Sequence, residues 1–171
     1  MNLLEMRLRA VERSARVLRY HTEPVVHRQS VGEHTYGVLW MLCLITDPSK
    51  ELMKAGLMHD TAEFVAGDVP SPAKRYAPIK EAFDKMEKEV LAQLAWRLPD
   101  LTAEEERLLK LADLLEGAAF CLCEWRRGNR DIDTALGNYL RYIASMYPEG
   151  KAGEIFNYLK EQAHEFGFKG E

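Results

Sequence analysis

The sequence predicts an all-α protein. Apolar residues recur at helical spacing through nearly every segment, and two capping boxes and a set of Pro and Gly breaks bound those segments. Nothing alternates with period two for long enough to make a strand. Leu4, Leu8, Val11, Ala15 and Leu18 repeat on one face with Arg and Glu between them, predicting an amphipathic first helix that ends near Arg19-Tyr20. Residues 21–29 contain Pro24 and no period, so a loop carrying His21, His27 and Arg28 follows.

Ser30-Val-Gly-Glu33 is a capping box that starts a second helix at residue 31 and puts His34 in its first turn. The continuation, Val38 to Ile45, is apolar on every side and predicts a central, fully buried helix. Asp47-Pro48 reads as N-cap and N1 of a third helix, which reaches His59-Asp60. If residues 59–66 stay helical, Glu63 leans over the same side as His59 and Asp60. Gly67 then reads as the helix C′ residue, with Asp68 beyond it in the loop. A connecting region with Pro70, Pro72, Lys74, Arg75, Pro78 and Lys80 leads to a helix over Ile79–Leu98. Thr102-Ala-Glu-Glu105 caps a long helix towards Arg127 that carries Asp113 among its apolar residues, and Gly128-Asn129 ends it. Residues 133–146 and 152–166 form two more helices around Tyr147-Pro148.

The 171 residues are enough for one domain with a proper core. A formal net charge of −4 argues against a general nucleic-acid-binding surface but not against a nucleotide held by a few cations. Cys43, Cys121 and Cys123 match neither a disulfide framework nor a zinc-ribbon spacing and read as reduced core cysteines. The charged N-terminus and the shortness of Val38–Ile45 argue against a signal region and a membrane span, so the expected setting is cytoplasmic.

His34, His59, Asp60 and Asp113 each have an ordinary explanation: a helix-start His satisfies backbone groups, and a helix Asp makes a local bond. Together they bring two imidazoles and two carboxylates from three helices, a mixed nitrogen and oxygen set suited to a divalent transition metal.

The order His34 … His59-Asp60 … Asp113 resembles the signature of HD-domain metal-dependent phosphohydrolases. The likeness extends to the branch of YfbR-like 5′-deoxynucleotidases and small phage dATP triphosphohydrolases. It includes Arg19-Tyr20, Arg28 with Gly32-Glu33-His34, Lys110, and the run from His59 through Asp60, Glu63, Gly67, Asp68 and Pro70 to Pro72. That resemblance, which covers about residues 10–120 and matches no motif in the last third, implies an HD-domain helical bundle, and residues 1–171 are expected to form it as a single domain. It also implies one divalent metal (Co, Mn, Zn, Ni or Fe) on His34, His59, Asp60 and Asp113. A single ion is expected because no further His lies between His59 and Asp113. Glu63 and Asp68 would be catalytic, and Arg19, Tyr20, Arg28, Pro70, Lys80 and Lys110 would contact a small deoxynucleotide. The resemblance further implies a homo-oligomer, dimer or hexamer, acting on neither nucleic-acid polymer nor membrane. Where the nucleotidases usually have Trp, this chain has Tyr20.

Within that reading, the basic run Lys74-Arg75, Lys80 and Lys85 favours a triphosphohydrolase that releases deoxynucleoside and triphosphate from dATP. A 5′-deoxynucleotidase acting on monophosphates is the alternative. A degenerate HD module that binds without catalysis is the remote one, disfavoured because it has no need of Glu63 and Asp68.

Overall fold

The longest helix, α7 (Ala103–Arg126), runs through the core, with Leu111, Leu115, Ala118 and Cys121 wholly buried along it. The structure, a computed structural model, describes residues 1–74 and 76–170. Around α7 pack α2 (Val31–Ile45), α3 (Lys50–Met58), α8 (Asp133–Ser145) and α9 (Gly150–Glu165). The remaining helices are α1 (Leu3–Ser14), the short α4 (Glu63–Ala66) and α5 (Ser71–Lys74), and α6 (Ala77–Gln93), and Ala10 of α1 and Val90 of α6 share a second, smaller apolar cluster with Ala62 and Leu94. Among the described residues there is no β-strand, only one isolated bridge between Leu18 and Ser30, so the all-α expectation holds. Among the described residues no helix is long and apolar enough to cross a membrane.

Both capping boxes form as read, at Ser30/Glu33 and Thr102/Glu105. Several helix ends differ. The first helix stops at Ser14, not near Tyr20, because the backbone of residues 17–19 pairs with the far end of its own loop. Arg19 N–H donates to the Gln29 carbonyl at 2.9 Å, and Val31 N–H to the Val17 carbonyl at 2.8 Å. That pinch closes residues 19–29 into a loop and carries Arg19 into the interior. The third helix starts after Ser49, whose hydroxyl accepts from Leu52 N–H at 3.0 Å, and not at Asp47-Pro48. The helix read over Ile79–Leu98 ends at Gln93, where Arg7 of α1 takes the Leu94 and Ala95 carbonyls at 2.8 and 2.7 Å.

Exposure also corrects two readings. The central buried helix is α7; α2 buries His34, Val38 and Leu42 but leaves Tyr36, Trp40 and Leu44 at the surface. In α1 the buried residues are Ala10 and Ser14, while Leu4, Leu8 and Val11 are exposed. Uniform apolarity cannot tell which side of a helix meets the core, since the surface of a folded chain stays largely apolar. Of the cysteines only Cys121 is buried; Cys43 and Cys123 are exposed.

The Ser30 cap fixes the first turn of α2 and with it the position of His34. Ser30→Ala should cost about 1 kcal/mol of stability, seen as a lower urea midpoint with an unchanged slope. An unchanged midpoint would show that the cap contributes nothing.

Candidate metal centre and substrate cavity

His59 caps the C-terminal end of α3, and the chain then tightens instead of continuing as a regular helix. Thr61 N–H bonds to the Met58 carbonyl and Glu63 N–H to the Asp60 carbonyl, three-residue steps that interrupt the helix expected over 59–66. Gly67 ends α4 at φ +79°, a backbone setting that favours glycine, and it is the C-cap itself and not the C′ residue read from sequence. The interruption does not scatter the side chains. His34 Nε2 lies 3.3 Å from His59 Nε2, 3.3 Å from Asp113 Oδ1 and 3.6 Å from Asp60 Oδ2. His59 Nε2 lies 3.2 Å from Asp60 Oδ2.

All four predicted ligands therefore converge, and ligand atoms of His34, His59 and Asp113 lie within 4.8 Å of one another. The outer nitrogens explain why this group suits a cation. His34 Nδ1 faces the Glu116 carboxylate, and His59 Nδ1 faces the Gly56 carbonyl at 2.7 Å. With Nδ1 as the donor in each ring, both Nε2 lone pairs point into the same space. Such a meeting is unfavourable unless a proton or a metal ion sits there. Bonds of about 2.0–2.2 Å to a central ion leave neighbouring ligand atoms roughly 3.0–3.5 Å apart, close to the spacing found here.

The charges agree. Burial alone would lower the His59 pKa, but Asp60 and Asp113 beside it raise it to about 9. His34 is also raised: burial opposes this, and its bonds to Asp113 and Glu116 prevail. Burial would raise Asp60, yet His59 brings it down to about 2. Asp113 lies well below the usual carboxylate range, held there against burial by His34 and Lys110. The cluster is thus a negative cradle that attracts protons in the absence of another cation.

Glu63 is different in kind. Burial first, then Asp60 and Asp68, push its carboxyl up to about 9, and its Oε2 is buried without a hydrogen-bond partner among the described residues. Its other oxygen lies 3.9 Å from Lys74 Nζ. Next to the cluster opens a cavity of about 420 Å³, lined among others by Asp60, Glu63, Asp68, Pro70 and Asp113. Of the predicted substrate contacts, Arg19, Tyr20, Pro70 and Lys110 line it. Lys110 Nζ is 2.7 Å from Asp113 Oδ2.

Two expected contacts are not brought in. Arg28 is exposed and does not line the cavity. Lys80 points along α6 to Asp84 at 3.1 Å, and the neighbouring Lys85 points to Glu89 at 3.8 Å. Lys74, read from sequence as one of a general basic run, does line the cavity; its neighbour Arg75 lies outside the described residues.

Sequence reasoning missed Glu116. This buried carboxylate receives Gln29 Nε2 at 2.6 Å and Arg19 Nη1 at 3.3 Å and holds His34. Its signal was present: a charge amid apolar residues, three after Asp113 and so on the same helix face. The α8 wall of the cavity, including Thr134, Asn138, Tyr139 and Tyr142, carried no motif.

A sequence profile described as "5'-deoxynucleotidase YfbR-like" matches residues 7–162. A protein named 5'-deoxynucleotidase from Vibrio atlanticus (strain LGP32) is 27% identical over 135 residues, spanning 64% of this chain and 70% of its own length. The dATP triphosphohydrolase of Cyanophage S-2L is 25% identical over 116 residues, spanning 63% and 65%. The solved structure of the Cyanophage S-2L HD phosphohydrolase (DatZ), bound to dA and one catalytic Zn²⁺ ion, superposes with a TM-score of 0.64 at 16% identity. The superposition covers 92% of this chain and 95% of that one and shows a shared fold.

Glu116 orients His34 from behind. Glu116→Ala should therefore weaken binding of Zn²⁺ or Co²⁺ by about 10- to 100-fold, measured by titration calorimetry. Unchanged affinity would remove Glu116 from the support of the metal centre.

Proposed function

The chain belongs to the YfbR-like 5′-deoxynucleotidase family, and from that we propose that it hydrolyses 2′-deoxynucleoside 5′-monophosphates to deoxynucleoside and phosphate. The observation that carries the monophosphate reading is where the cations point. Arg19, Lys74 and Lys110 line the cavity, whereas Lys80 and Lys85, which favoured a triphosphate in the sequence, are turned to carboxylates of their own helix. Among the described residues these three cations suit one phosphoryl group and leave little to neutralise the β- and γ-phosphates. The Vibrio relative carries the matching name.

His34, His59, Asp60 and Asp113 would hold one divalent transition ion, a reading supported by the single catalytic Zn²⁺ of the cyanophage neighbour. When bound, that ion supplies positive charge that polarises the phosphate ester and offsets charge developing on the phosphoryl group. Lys110 and Lys74 hold phosphate oxygens, and Arg19, fixed from behind by Gln29 and Glu116, presents its guanidinium to the same group. Glu63 orients the attacking water on its Oε2, and with a divalent cation held beside it, which would favour the carboxylate form, it would take the water's proton. The water oxygen bonds to phosphorus as the bond to the 5′-oxygen breaks. Asp68 protonates or positions that leaving oxygen from the loop after Gly67.

A second reading, release of triphosphate from dATP, is favoured by the name of the cyanophage relative. Product analysis after incubation with each dNMP and dNTP separates the two. The expected result is deoxynucleoside and inorganic phosphate from dNMPs, with dNTPs turned over slowly. Tripolyphosphate from dATP with dNMPs untouched would establish the second reading.

For the role of Glu63, the expected effect of Glu63→Ala is a fall in kcat by about 10²–10⁴ with metal content and nucleotide affinity retained. Loss of the metal in that variant would make Glu63 a ligand.

A further inference from the structure

The α8 wall of the cavity has no role in the chemistry above, yet it carries an ordered chain of hydrogen bonds. Cys121 Sγ donates to the Tyr20 hydroxyl at 3.8 Å, and the Tyr20 hydroxyl is 3.0 Å from that of Tyr139. A phenol has one proton to give. The Tyr20 hydroxyl donates to the Tyr139 oxygen, and the Tyr139 proton is left over. Among the described residues Tyr139 has no second hydrogen-bond partner, and it lines the cavity.

Both rings are fixed in place. Tyr20 stacks on Phe120 with ring centroids 4.8 Å apart and planes at 17°. It also sits at φ +54°, a backbone setting that a bulky residue keeps only when its surroundings enforce it. Tyr139 lies across Gly117, where a Cβ would come within 2.4 to 2.7 Å of its ring and hydroxyl, so α7 leaves a slot for this side chain. Burial pushes the Tyr139 phenol up to about 12, which keeps it a neutral donor at physiological pH.

Position identifies what this donor meets. Tyr20 adjoins Arg19 in the chain, and the Arg19 guanidinium lies 5.3 Å from the Tyr20 ring centre, so the phenol pair stands beside the phosphate-binding end of the cavity. The group that adjoins a 5′-phosphate is the pentose. We infer that the Tyr139 hydroxyl, oriented by Tyr20, donates a hydrogen bond to the 3′-hydroxyl oxygen of the substrate's sugar and thereby selects nucleotides with a free 3′-end. This rests on the deoxynucleotide reading above and assigns a sugar contact to a residue that no motif marks.

The test compares 2′-deoxyadenosine 5′-monophosphate with 2′,3′-dideoxyadenosine 5′-monophosphate on the metal-loaded full chain. One net hydrogen bond corresponds to about a three- to tenfold preference in kcat/KM for the substrate with the 3′-hydroxyl. The difference should appear in KM and not in kcat, because the bond is made alike in ground and transition states. In Tyr139→Phe, which keeps the ring in its slot over Gly117, the ratio should fall towards one. A wild-type ratio of one with both substrates turned over would overturn the sugar contact and leave the deoxynucleotidase reading standing. A wild-type preference that persists undiminished in Tyr139→Phe would also overturn it. Failure of wild type to release phosphate from either substrate would overturn the deoxynucleotidase reading and this inference with it.

Discussion

A single buried carboxylate, Glu116, holds three parts of the site in register. It joins Arg19 and Gln29, the two ends of the loop closed by the Leu18–Ser30 bridge, to His34 in the first turn of α2. Such a group is costly to bury unless it is fully paired, and here both oxygens are engaged by charged or amide donors. The arrangement is also self-enforcing. Removing Glu116 leaves a buried guanidinium without its ion pair, a change that costs about 3–5 kcal/mol in comparable buried pairs. The same contact aims the His34 Nε2 lone pair at the space shared with His59, Asp60 and Asp113. The same interaction thus contributes to fold stability and to the geometry of the candidate metal centre.

The candidate metal cluster was legible because its chemistry is carried by residue type and order. His34 follows a capping box that dates the start of α2 to one residue, and His59-Asp60 and Asp113 interrupt apolar helices where a polar group needs a reason. Those placements survived even where the secondary structure differed. The chain tightens at residues 60–62, yet Glu63 still turns inward and is buried next to the candidate ligands it follows. Glu116 could have been found by the same rule at a spacing of three from Asp113.

Other features depend on tertiary partners that no local pattern encodes. The early end of α1 follows from pairing across a twelve-residue separation, and the early end of α6 from Arg7, far away in the chain. Side-chain direction on an exposed helix is likewise a matter of neighbours. Lys80 and Lys85 follow the active-site loop in sequence but have carboxylates four residues on, and those local pairs hold them outside. Lys74, in the short helix directly after Pro70, stays within reach of Glu63. The α8 wall is invisible to motif reading because its polar side chains sit at ordinary helical spacing.

The central claim is that His34, His59, Asp60 and Asp113 form a site for one divalent metal ion. Titration of metal-free protein with Co²⁺ near pH 7, followed by visible absorption and proton release, tests it most directly. One ion should bind per chain, and because His59 holds its proton up to about pH 9, binding should release a proton and tighten as pH rises towards that value. In Asp113→Ala the cobalt spectrum should be lost or strongly weakened. A Co²⁺ spectrum and affinity identical in wild type and Asp113→Ala would contradict the assignment, as would the absence of binding to the wild-type chain.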